Sequence, residues 1–133
     1  MHALRYAVRL AKPFDAAFHL VYVVERPSFV HDIKNVPLIL PEKKLAKIAR
    51  KKLAGIANAE IGEILPTQIH VSVGKPFSEI VTLARQSDAD LIVIATRGRT
   101  GLPRILLGST EQVVRHAPCA VLVVREHARS FNS

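Results

Sequence analysis

The sequence predicts an α/β domain built on one open parallel sheet with helices on both faces. Three observations predict it. Apolar residues fall into four short runs, near 19–24, 68–73, 90–95 and 120–124, separated by stretches of helical periodicity. The chain is 49% apolar but only 5% aromatic, with no Trp, so its core must be Val, Ile, Leu and Ala. Parallel strands covered on both faces read as such aliphatic runs. Finally, the elements alternate helix, strand, helix, strand throughout, the order that builds right-handed crossovers. A length of 133 residues suits one domain, over 1–126, with a polar tail over 127–133.

Each element has its own signal. Leu4, Ala7, Val8 and Ala11 share one face of a helix over 3–11, which Pro13 ends. His19 to Val24 is a short aliphatic run, a buried strand. Pro27, Pro37 and Pro41 mark a long connection over 26–41, and Pro41 suits the start of the next helix. From Glu42 to about Ile61, Leu45, Ile48, Ala49, Lys52, Leu53 and Ile56 repeat at helical spacing. Lys43, Lys44, Lys47, Arg50 and Lys51 form the opposite face. Ile69, Val71 and Val73 alternate with polar residues, a strand near an edge. Gly74 and Pro76 open a third helix with Phe77, Ile80, Val81 and Ala84 inward. Asp90 to Ala95 has no polar break after its first residue, which places this strand at the centre of the sheet. Ser109 followed by Gln112 has the spacing of a capping box, so the last helix is expected to begin at Ser109 and stop before Pro118. Ala120 to Val124 is the final strand, at an edge.

Composition narrows the function classes. The formal charge of +8 favours anionic partners, although a solvated basic face gives the same balance. The single cysteine, Cys119, forbids an intrachain disulfide and fits a reducing compartment. No apolar run reaches the roughly 18–20 residues of a membrane span, and residues 1–6 lack the apolar stretch of a secretory signal. A cytoplasmic protein is expected, with no membrane partner.

The informative stretch runs from Ile94 to Ser109. It leaves the carboxyl end of an aliphatic strand and reaches the start of a helix, which is where ligands settle in open α/β sheets. Helix-start amides lack intrahelical partners and favour an anion. Gly98 and Gly108 let backbone approach phosphate oxygens, and Arg97, Arg99 and Arg104 add positive charge. A loop that only caps a helix would use the same residues.

The loop also carries a resemblance. Gly98, nine residues from 99 to 107, then Gly108 and Ser109 resemble the phosphate loop of the universal stress protein family. Gly98-Arg99-Thr100-Gly101-Leu102, Leu106-Leu107-Gly108-Ser109 and Val113-Val114-Arg115-His116-Ala117-Pro118-Cys119 are similar too. Leu4 to Ala7 extends the likeness toward the start. The resemblance implies an adenine nucleotide alpha hydrolase-like, Rossmann-like fold and a stress-response protein. It would bind ATP or a related adenine nucleotide as a sensor or scaffold, without strong catalysis, and Mg or Mn would be the metal accompanying it. It implies nucleotide contacts at Val23, Ile94, Ala95, Gly98, Arg99, Gly108, Ser109 and Thr110, and a homodimer through strand 120–124. An alternative within the family is a nucleotide-free dimeric interaction module.

Two departures accompany the likeness. Ala95 stands where the family has glycine. The family's first strand, with its acidic residue beside the adenine and ribose, is missing ahead of the helix over 3–11. That strand lies between those matching 19–24 and 90–95. Three arrangements could close the gap: direct pairing of those two strands, a strand from a partner chain, or a chain that starts earlier.

Other residues read as structural. The six histidines, His2, His19, His31, His70, His116 and His127, show no metal-ligand spacing with Cys or an acid. Cys119 has no marked base and reads as a small buried hydrophobe. Asp88 and Asp90 read as turn residues. No Ser-His-Asp signature or Walker lysine is present, so no enzyme is expected beyond weak ATPase activity. The basic face over 43–52 lacks interleaved aromatics and reads as solvated, so nucleic acid is not the expected partner.

Overall fold

The computed structural model describes residues 2–25, 42–96 and 103–125. The elements are α1 (His2–Ala11), a 3-10 turn (Lys12–Phe14), β1 (Phe18–Val24), α2 (Glu42–Glu60), β2 (Thr67–Val73), α3 (Pro76–Gln86), β3 (Leu91–Thr96), α4 (Pro103–His116) and β4 (Ala120–Arg125). The expected alternation is present. The connection over 26–41 and the tail from His127 lie outside the described residues.

Local chemistry sets the ends. Pro13 lies in the 3-10 turn, and Asp15 follows it in the left-handed conformation at φ 49°. Short polar Asp tolerates that region. At the end of α2, Ile61 and Gly62 both donate to the Ala57 carbonyl, at 2.9 and 3.0 Å. Gly62 takes φ 58°, which glycine adopts without a Cβ penalty. Pro76 opens α3, where its missing N–H costs no helical bond. Asp88 turns the chain toward β3 at φ 52°, as a turn residue should.

The strands pair in parallel, as expected, but in two separate ladders. β1 pairs with β2 from Phe18 opposite Thr67 to Val24 opposite Val73. β3 pairs with β4 from Leu91 opposite Ala120 to Thr96 opposite Arg125. The expectation that residues 90–95 form the centre of one sheet is therefore corrected. Among the described residues β3 has one strand partner, and Leu91 is 43% exposed. Direct pairing of β1 with β3 does not occur either. The aliphatic run reports a strand suited to burial on both sides, but burial needs a neighbour at each edge.

Helices bridge the two ladders. α1 packs against β3 and β4, while its Leu4, Val8 and Ala11 pack with Phe18, Leu20 and Ile69 against Ala57, Ile61 and Leu65. α3 packs on β1 and on α4, where Phe77 and His116 meet at 5.8 Å between ring centres. Arg5 of α1 donates from Nε and Nη2 to the two carboxylate oxygens of Glu60 on α2, both at 3.2 Å.

Helices supply most of the core. Ala7, Leu53, Ala57, Val81, Ala84 and Val113 are buried helical residues, and Ile61 and Leu65 follow α2. Among the described strand residues only Val124 is buried to that degree, the mark of a sheet split along a seam. On α2, Ile48 is 49% exposed and Lys52 is exposed, although periodicity pointed both inward. A two-stranded ladder offers too narrow a surface to cover so wide a stripe.

Candidate functional site

The strand–loop–helix joint of β3 and α4 carries the site candidates. Ile94 and Ala95 lie near the carboxyl end of β3, half-buried, opposite Val123 and Val124. Val23, also half-buried, lies near the carboxyl end of β1 opposite Ser72. Val23 and the pair Ile94–Ala95 thus belong to different ladders. Each sits at the strand end where a base could lie against aliphatic side chains. Gly98 and Arg99, with Arg97, lie outside the described residues.

Gly108, Ser109 and Thr110 are placed differently from expectation. The last helix starts at Pro103, not at Ser109, so these three residues lie inside α4. The apparent capping box of Ser109 and Gln112 does not start the helix. In a helix, an amide at this depth bonds to the carbonyl four residues back. The amides of Gly108, Ser109 and Thr110 therefore cannot cradle a phosphate in this conformation. The unpartnered amides of α4 belong to its first turn, after Pro103, which has no N–H. The missed signal was Pro103 itself, a residue favoured at the first helical position.

The side chains add detail. Thr110 is buried, at 7% exposure, the one polar residue so enclosed among those described. Ser109 is half-buried and Gly108 exposed. A Cβ built on Gly108 would meet nothing within 4 Å. That glycine is not required by neighbours in the helix, so packing does not explain it. Ala95 lies in extended β-strand backbone, a conformation open to any residue, so alanine is tolerated there.

No other catalytic constellation emerges among the described residues. Burial, reinforced by the negative charge of Asp90, pushes the Cys119 thiol up, away from the reactive thiolate. Cys119 is half-buried, consistent with a packing role. No group of three or more His, Cys, Asp or Glu among the described residues could hold a metal ion. Lys43, Lys44, Lys47, Arg50 and Lys51 lie on α2 and all five are exposed, as a solvated face requires. No helix among the described residues is long and apolar enough to cross a membrane.

Parallel strands joined by helices in regular alternation define a Rossmann-like α/β protein. The family profile described as the universal stress protein family matches residues 1–125. The chain belongs to that family. It is 37% identical over 129 residues to a universal stress protein of Methanocaldococcus jannaschii, covering 95% of this chain and 75% of the relative. A putative universal stress protein of Staphylococcus aureus is 32% identical over 127 residues, covering 92% of this chain and 75% of the relative. Among solved structures, the universal stress protein UspA of Lactobacillus plantarum superposes with a TM-score of 0.69 at 27% identity, over 92% of this chain and 87% of that one. A universal stress protein solved in complex with cAMP superposes at 0.63, over 92% of this chain and 86% of that one. At 22% identity that likeness concerns the fold alone.

Proposed function

We propose that this chain binds ATP or a related adenine nucleotide at the β3–α4 joint and acts as a sensor or scaffold in a stress response. The observation that carries the reading is that the carboxyl end of an aliphatic parallel strand, at Thr96, is joined within a few residues to a helix start at Pro103. Family membership supports it, as does the existence of a cAMP complex of another universal stress protein. Val23 and Ile94 would flank the base. Arg99 and the first-turn amides of α4 would face phosphate, with Gly98 allowing the approach. Engagement of Gly108, Ser109 and Thr110 requires the start of α4 to unwind back to Gly108. A bound Mg or Mn would be held through the phosphates, since no cluster among the described residues offers it a cage. The raised Cys119 thiol supports a binding role over thiol-based turnover. Among the described residues β4 pairs on one side only, which supports a homodimer through residues 120–124; the cytoplasm is the compartment this reading expects.

Isothermal titration with ATP tests this, with Arg99→Ala as the control that weakens binding. No heat at nucleotide concentrations of about 1 mM rejects the nucleotide half of the reading, since that marks an affinity weaker than about 4 kcal/mol. One observation favours a second reading, a nucleotide-free dimeric module. The amides of Gly108 to Thr110 are already committed to the helix. A dimer by sedimentation together with a silent titration would select it.

A further inference from the structure

His19 on β1 and His70 on β2 meet across the first ladder, with His19 Nδ1 2.9 Å from His70 Nε2. Their ring centres are 5.1 Å apart and the planes differ by 26°. The 2.2 Å difference between those distances is about two imidazole radii, so the rings meet edge to edge along a hydrogen bond rather than face to face. The pairing of His19 with Gln68 and of Val21 with His70 makes the two histidines diagonal neighbours. Alternation puts them on the face of Val21, Val23, Gln68 and Ser72, opposite Phe18, Leu20 and Ile69. Both rings are half-buried.

We propose that His19 and His70 form an acid-sensitive latch across β1 and β2, closed while they share at most one proton and open when each carries its own. The hydrogen bond needs one N–H and one bare ring nitrogen. Two neutral rings satisfy it, and one protonated ring satisfies it more strongly. Two protonated rings leave no acceptor and set two positive charges at contact.

The surroundings oppose the second proton. Burial lowers the His70 pKa from its ordinary value, and the charges of His19 and then Arg50 lower it further. Arg50 comes from α2, which packs on both strands. From α3, which packs on β1, Glu79 folds over Gly74 beyond the end of β2, and Arg85 lies in the last turn. α1 and α2 meet the opposite face through apolar Leu4, Val8, Ala11 and Ala57. Among the acidic groups on these helices, Glu60 of α2 is bonded to Arg5 and Glu79 of α3 lies over Gly74 beyond the strand end.

The sign follows from proton counting. The unfolded chain protonates both rings near pH ~6.5, whereas the folded pair takes its second proton only at lower pH. Between those points the unfolded state holds more protons, so stability falls as pH falls. The latch contributes fully above the unfolded value and is lost as pH drops through the folded one.

Urea unfolding of the full chain at about pH 7.5 and about pH 5 tests the proposal, comparing wild type with His19→Asn and His70→Gln. An Asn amide replaces the Nδ1 position and a Gln amide the Nε2 position, so each variant keeps a neutral partner without the second proton. The wild-type unfolding constant should rise roughly tenfold more between the two conditions than that of either variant. Parallel losses in wild type and both variants overturn the proposal. Should the variants not fold, imidazole NMR of the wild type decides. Two coupled steps, the second below the ordinary histidine range, support the latch, and two independent titrations near that range refute it.

Discussion

Gly108→Ala probes the point at which the site and the fold compete. Gly108 is exposed, lies within α4, and has nothing within 4 Å of the place an alanine methyl would take. Alanine therefore adds no clash, and it removes the backbone entropy that glycine loses in a helix. Gly in a helix interior is worse than Ala by about 0.5–1 kcal/mol. The variant should be more stable by that amount, a rise in Tm of roughly 2–5 °C for a chain of this size. If nucleotide binding unwinds Gly108 to Thr110, the same energy opposes binding, and affinity should fall about two- to fivefold. Urea denaturation followed by circular dichroism reads the first quantity and nucleotide titration the second. A variant equal to or less stable than wild type would refute the reasoning. It would mean that residue 108 in solution lies in a turn ahead of the helix, as the capping-box spacing first suggested.

Other perturbations test other parts. Ile61 is 1% exposed and packs with Ala57 and Leu65, so Ile61→Ala should cost about 2–5 kcal/mol in urea unfolding. A loss under about 1 kcal/mol would show that this cluster collapses freely. The hydrogen bonds from Arg5 hold the Glu60 carboxyl below its ordinary range. Its contribution is present above the unfolded carboxylate value near ~4.3 and disappears as pH falls through the folded one, so Glu60→Gln should flatten the acid limb of a stability–pH curve. An unchanged limb would show the pair to be without effect, as many exposed pairs are. Along the seam, amides of β1 and β3 that point away from β2 and β4 should exchange with deuterium faster than their laddered neighbours. Uniform protection along β3 would show that its second edge is paired in solution.

Much of the fold could be read from residue patterns alone. Leu4, Ala7, Val8 and Ala11 marked α1, and Phe77, Ile80, Val81 and Ala84 marked α3, because a helix must turn one stripe toward the core. The boundaries of β1, β2 and β3 came within a residue, since each aliphatic run ends where the chain needs a turn. The loop motif from Gly98 to Ser109 also brought the family into view, and the family profile agrees. All these signals are local, or are carried by short words of sequence.

Tertiary structure decided what local signals could not. Whether Leu91 to Ala95 has one neighbour or two depends on which strands are available, and β-strand hydropathy records only the capacity for burial. The start of α4 at Pro103 rather than Ser109 was a contest between two legitimate start signals, settled by continuation of the helix through Gly108. His19 and His70 stand 51 positions apart, and only the parallel register of β1 on β2 brings their ring nitrogens to 2.9 Å. Pairing between distant strands is set by the free energy of the whole packed chain, so such contacts have no signature in either segment by itself.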